Sequence, residues 1–365
     1  MPARPADIQL SYVDKAMGCF LIGVTGKGWS LTGEALLGSV SDDPYDVRTT
    51  LRIVRPIGEQ GHIGTELVST TEHTLAERGY FARPGETTRG LNAAGLAFTC
   101  AMVFETEPEL RLREPSPFAD LTEIMMNTCE RVADAISLFK SAGMVAPPYT
   151  ILLADAKGEL AQLEVGRHGV EVVKCHSRER PGAVFSVNCY QTPSLMRYNT
   201  SDSQLANPGN NNSARLERGT HLAETQKPSV NVGSLARLLS DHHNGDRDPQ
   251  DNPLLDAWGY SICNHGTRRT ASYQHEQLPW GTVSAEILQP AEMMFWYNFG
   301  WPCGSVPEYG DQIFQGHSWG RFMPFHLSTT SNRDRAIIQL TTAAGDITPD
   351  GARHLALSKA NDSGN

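Results

Sequence analysis

The stretch from Lys15 to Trp29, KAMGCFLIGVTGKGW, decides how this chain is read. A short polar leader ends in the pair Gly18-Cys19, and the apolar run CFLIGV follows at 19–24. That run has the length of a strand, and Gly26 and Gly28 behind it suit a tight turn. Cys19 is therefore either a small core residue or the first residue of a working chain, exposed when the bond before it is cut. In the second case Cys19 carries both a thiol and a free α-amine. An α-amine has an ordinary pKa near ~8, far below that of lysine, so part of it accepts a proton at neutral pH. One residue then supplies nucleophile and base. Glycine before the cysteine permits the strained backbone that attack on its own preceding carbonyl requires.

Working outward, ALLGSV at 35–40 reads as the returning strand and TLRIV at 50–54 as a third. GLNAAG at 90–95 is turn-like and feeds LAFTCAMVF at 96–104. The period then changes. Leu121, Ile124, Met125, Thr128, Val132, Ile136 and Phe139 fall on one helical stripe over 119–141, which Pro147-Pro148 stops. YTILLAD at 149–155, the turn AKGE and LAQLEVG at 160–166 form a strand pair. VEVVKC at 170–175 and AVFSVNCY at 183–190 read as two more strands. The Asn- and Ser-rich run 199–213 reads as an exposed loop, SLARLLSDHH at 234–243 as a helix, and TASYQHEQ and AEMMFWYNF as late strands. The order strands, helix, strands implies sheets packed with helices rather than repeated βαβ units. The last twenty residues are polar and small and read as a loosely held tail.

Composition narrows the function classes. The chain has 365 residues, 39% hydrophobic and 20% charged, which suits a globular protein with a sizeable core. A formal charge of −10 argues against a nucleic-acid partner. Seven cysteines without a CxxC pair argue against a disulfide framework or structural zinc. The leader lacks the apolar centre of a signal peptide, and no apolar run reaches the length of a membrane span, so the expectation is a cytoplasmic protein with reduced thiols and no membrane partner. GVTGKGWS lacks the phosphate-loop spacing, and Asp241-His242-His243 with Asp246, Asp248 and Asp251 fits no metal-loop pattern. No cofactor and no metal are expected.

Several segments, in order along nearly the whole chain, resemble the acyl-coenzyme A:6-aminopenicillanic acid acyltransferase-like branch of the Ntn hydrolases, related to the choloylglycine hydrolases. Gly18-Cys19 resembles the family's cleavage site and nucleophile. ALLGSVSD at 35–42 is similar to its ALxGxNxD-like segment and puts Asp42 on its catalytic aspartate, with Asp43 as the alternative. GLNAAGLA at 90–97 resembles its GxNxxGLA turn, and LLADAKGE with LEV at 163–165 its hairpin. VNC at 187–189 resembles its TNH element, which carries an oxyanion-hole asparagine, here Asn188. SICNH at 261–265 and GWPC at 300–303 are similar to its SICxH and GxPC segments. The family also carries an arginine near GTRRTAS, which points to Arg268, with Arg269 beside it.

The resemblance implies an α+β fold, the four-layer αββα sandwich with two central antiparallel sheets. It implies a leader, 1–18, removed by self-cleavage, one domain over 19–345 and a tail over 346–365. It further implies a thiol amide hydrolase or acyltransferase that acts on a small-molecule amide or acyl thioester through a thioester acyl-enzyme. A homo-oligomer is compatible with it. A non-catalytic protein of the same fold that binds a small amide-like ligand is the alternative. There are departures. Phe20 follows the nucleophile where the family has a small hydroxylated residue, Val40 replaces an asparagine, and Ser39 stands where related amide hydrolases place an arginine.

Overall fold

The structure is a computed structural model. It describes residues 19–55, 60–71, 85–105, 117–200, 205, 211–241, 261–264, 280–304, 318–327 and 337–362. Gly18, His265, Arg268, Arg269, the 242–251 loop and the strand expected at 270–277 lie outside the described residues.

Two antiparallel sheets make up the centre. The first has strands β1 (Phe20–Thr25), β2 (Leu36–Pro44), β10 (Gly182–Ser186), β11 (Trp280–Gln289), β12 (Met294–Phe299) and β13 (Met323–His326), in the order β10-β1-β2-β11-β12-β13. The second has β3 (Val47–Val54), β4 (His62–Ser69), β5 (Arg89–Asn92), β6 (Leu96–Met102), β7 (Tyr149–Asp155), β8 (Leu160–Gly166), β9 (Gly169–His176) and β14 (Ile337–Gln339), in the order β14-β3-β4-β5-β6-β7-β8-β9. Leu21, Leu37, Leu91, Ala97, Leu152 and Phe295 are buried in one cluster between the sheets. Alternation along β1 and β2 sends the other set, Phe20, Ile22, Val24, Leu36 and Val40, to the opposite face.

Helices cover both outer faces. α1 (Pro117–Thr128) and α2 (Val132–Ala142) pack Met125, Met126, Val132, Ala135 and Phe139 onto Phe98, Ile151, Leu153 and Leu163 of the second sheet. After a short helix α3 (Pro193–Met196), α4 (Asn211–Gln226) and α5 (Val232–Leu239) bring Ala223, Leu235, Leu238 and Leu239 against Phe20, Ile22 and Ile287 of the first. The layers are helix, sheet, sheet, helix, the α+β sandwich that the sequence implies.

Three elements differ from their sequence reading. The single stripe at 119–141 is two helices. The Asp155 carboxylate accepts from the Val132 N–H at 3.1 Å and starts α2, while the Asn92 amide donates to the Met126 and Cys129 carbonyls at 3.2 and 2.8 Å and closes α1. Part of the run read as an exposed loop begins α4. Its buried face is Asn211, Asn212, Arg215, Gly219 and Ala223, a four-residue repeat of small and polar side chains that leaves little apolar periodicity to detect. The expected loose tail contains helix α6 (Pro349–Asp362), with His354, Leu355 and Ser358 buried. The Ser358 hydroxyl accepts from the backbone N–H of His326 at 2.9 Å, on β13, two positions along the strand from Pro324.

Phe20 is accommodated by α4. Its ring lies against Gly219, where a β-carbon would overlap it. Gly219→Ala should therefore destabilise the protein by about 1–3 kcal/mol through overpacking, although alanine in a helix interior ordinarily gains about 1 kcal/mol over glycine. Urea denaturation would show it. A variant as stable as the parent or more so would mean that the contact is loose.

Candidate active site

Cys19 stands immediately before β1, half-buried, at the rim of the cluster between the sheets. Phe20 pairs with Val40, so the start of β1 lies beside the 40–43 stretch of β2. Burial pushes the Cys19 thiol up. Arg89 is the main opposing influence, Asp43 and Asp42 add to the rise, and the backbone N–H of Asp42 opposes it. The Arg89 guanidinium reaches Sγ from β5, across the gap between the sheets, with Nη2 at 3.6 Å.

Asp42 is buried and held on several sides. Its β2 position pairs with Thr282 of β11, whose hydroxyl donates to Oδ1 at 2.7 Å. The Asn264 amide donates to Oδ2 at 3.3 Å, and Arg215 Nη1 lies 3.5 Å from the same oxygen. Burial nonetheless wins and lifts the Asp42 carboxyl to about 7, against Arg215, Thr282 and Asn264. The neighbouring Asp43 accepts from the Ser41 hydroxyl at 3.2 Å instead.

Asn188 follows β10 and is buried. Its amide N–H₂ donates to the Met102 carbonyl at 2.8 Å, which occupies one of its two protons. Its Oδ1 accepts from Arg215 Nη2 at 3.5 Å. Arg215 thus joins Asp42 and Asn188, and it is itself fully buried, with Asn211 and Asn212 accepting from the same Nη2 at 3.2 and 2.9 Å. Helix α4 delivers it because 211, 212 and 215 share one face.

Of the residues expected from sequence, Cys19, Asp42 and Asn188 are thus placed around one corner of the first sheet. Arg268 and Arg269 lie outside the described residues, and the arginine found buried against Asp42 and Asn188 is Arg215. Sequence reading missed it. The available signal was the four-residue spacing from Asn211 to Ala223, which hydrophobic periodicity does not register. Asn264 lies inside the SICNH segment, and the side chain of Cys263 beside it meets Cys303 of GWPC, so the two resembling segments touch. Phe98 is core against α1 and α2, and Trp296 is half-buried, with its indole N–H donating to Gln289 at 2.6 Å.

Residues 63–286, more than half of the chain, match the family of acyl-coenzyme A:6-aminopenicillanic acid acyl-transferase. This chain belongs to that family. The matched stretch includes Arg89, Asn188, Arg215, Asn264 and Glu286, and begins after Cys19 and Asp42. No curated protein is significantly similar in sequence. Among solved structures, a mutant of conjugated bile acid hydrolase from Clostridium perfringens is similar with a TM-score of 0.52 at 9% identity, over 90% of this chain and 99% of that one. Penicillin V acylase from Agrobacterium tumefaciens is similar with a TM-score of 0.43 at 15% identity, over 77% and 83%. The first of these shares the two-sheet sandwich described above. Family membership places the chain among the acyl-transferases of that name, with the fold shared by the bile acid hydrolase. Among the described residues no group of three or more His, Cys, Asp or Glu side chains could hold a metal ion, and no helix is long and apolar enough to cross a membrane.

Proposed function

We propose that this acyltransferase-family protein is activated by cleavage of the Gly18–Cys19 bond and then works as an N-terminal-cysteine amide hydrolase or acyltransferase on a small-molecule amide or acyl thioester. The observation that supports this best is the buried Arg215 guanidinium joining Asp42 to Asn188 beside the head of β1. A carboxylate, an amide donor and a thiol are thus brought to the same end of β1, the groups that nucleophilic acyl transfer uses.

In this mechanism the Cys19 thiolate attacks the carbonyl carbon and an S–C bond forms. The oxyanion takes the second N–H of the Asn188 amide, the first being held by Met102. The C–N or C–S bond of the substrate then breaks, and the leaving group takes a proton from the Cys19 α-ammonium, which Asp42 orients. Water or an amine next attacks the thioester carbonyl and gives its proton to the α-amine; the C–S bond breaks, and the acyl product leaves with the Cys19 thiolate and α-ammonium restored. Arg215 keeps Asp42 and Asn188 in register. Hydrolysis and transfer differ only in this second nucleophile.

Intact-mass measurement tests the proposal. The purified protein should begin at Cys19, and brief incubation with a p-nitrophenyl acyl ester followed by acid quench should add one acyl group to the Cys19 peptide. An uncut chain that still turns over substrate would remove the free-amine mechanism, and an acyl group on another residue would remove Cys19 as nucleophile.

A further inference from the structure

We infer that Arg89 is a catalytic residue that holds Cys19 as its thiolate, and that Glu286, Ser39 and Ser284 form the mount that aims it. The inference deepens the function proposed above and rests on Cys19 being the nucleophile.

Arg89 belongs to β5 of the second sheet, whereas Cys19 heads β1 of the first. A guanidinium is fully buried here only because it is paired. Its Nε lies 3.2 Å from Glu286 Oε2, its Nη2 donates to the Cys100 carbonyl at 3.4 Å, and its Nη1 reaches the Thr88 hydroxyl at 3.5 Å. The remaining direction of Nη2 is toward Cys19 Sγ. Glu286 is in turn fixed from the first sheet. It sits directly across from Ser39 in the β2–β11 register, and the Ser39 hydroxyl donates to Oε2 at 2.8 Å. The Ser284 hydroxyl donates to Oε1 at 2.6 Å. The carboxylate is therefore held by both hydroxyls, and the Arg89 guanidinium is anchored against it by charge, as a close ion pair in which the buried Nε makes no hydrogen bond.

A cation placed here has a task. Burial in an apolar cluster disfavours the thiolate, and two carboxylates on β2 add to that. An opposite charge within about 4–6 Å typically lowers an acid's pKa by about 1–3 units. Ser39 also acquires a reason. Its hydroxyl supports the carboxylate that lies against an arginine arriving from the other sheet.

The test is the pH profile of iodoacetamide alkylation, read on the Cys19 peptide by mass, in four proteins: wild type, Arg89→Gln, Arg89→Lys and Arg89→Gln with Glu286→Gln. The double variant matters most, because it removes both buried charges together and keeps two amides that can hydrogen-bond in their place. Its alkylation midpoint should lie about 1–3 units above that of the wild type, and Arg89→Lys should lie between them. If Arg89 serves only to neutralise Glu286, the double variant keeps the wild-type midpoint, and that result overturns the inference. Alkylation reports on Sγ whether or not the leader is cut. A shifted midpoint in a chain that neither cleaves nor turns over would therefore sink the proposed function and leave the role of Arg89 at Cys19 standing.

Discussion

Cys19→Ala is expected to remain full length and to lose turnover to background, a fall on the order of 10⁶ if it follows other enzymes stripped of their nucleophile. The same atom is asked to do two things. In the proposed mechanism it cuts the bond before it, and it carries the acyl group afterwards. Alanine removes Sγ from a half-buried site, so the loss of packing is small and the melting temperature should change little. That separates chemistry from folding. Cys19→Ser should cleave and turn over poorly, because a hydroxyl is a far weaker nucleophile at neutral pH. Intact mass and initial rates check both, and a Cys19→Ala protein with more than about one hundredth of parental turnover would place the nucleophile elsewhere.

The second large effect is on stability. Arg215→Leu should cost about 3–5 kcal/mol, because it leaves the buried partners of a fully desolvated guanidinium without their cation. The cost has a pH signature. The Asp42 carboxyl is raised to about 7 in the folded protein, against about 3.9 in an unfolded chain. A raised acid contributes stability that is fully present below the unfolded value and lost as pH rises through the folded one. Without Arg215 the folded value moves higher still, so the gap between wild type and variant should be smallest near about pH 5 and widen toward about pH 8. Adding Asp42→Asn removes the titrating group and should flatten that dependence. Urea denaturation across this range decides. A gap below about 1 kcal/mol that does not change with pH would mean that Asp42 and Arg215 are not coupled.

Which parts were legible in the sequence follows from which residues carry apolar periodicity. YTILLAD and LAQLEVG are strands β7 and β8 to the residue, because both faces of those strands are buried and the turn between them needs Gly158 at a positive φ. Cys19, Asp42 and Asn188 were singled out through short ordered motifs, and all three lie at the end where β1 pairs with β2 and β10. Arg215 and Arg89 were not. Each is a charged residue buried by partners from remote segments, Asp42 and Asn188 for one, Glu286 and Cys19 for the other, and no local spacing encodes such pairs. Strand β11 was missed for a related reason. Its buried face includes Thr282, Ser284 and Glu286, so a strand that supports the site does not read as apolar.

Helix α6 does more than fill space beside β13, the last strand of its sheet among the described residues. An exposed last strand ordinarily offers a row of backbone donors on which a strand from another molecule can grow. Along β13 the positions 324 and 326 face the same way. Pro324 has no N–H to offer, and the N–H of His326 is already spent on Ser358. Among the described residues of β13 neither of these two positions has an N–H left to offer, so addition of a visiting strand to the sheet carrying Cys19 and Asp42 is disfavoured on this side.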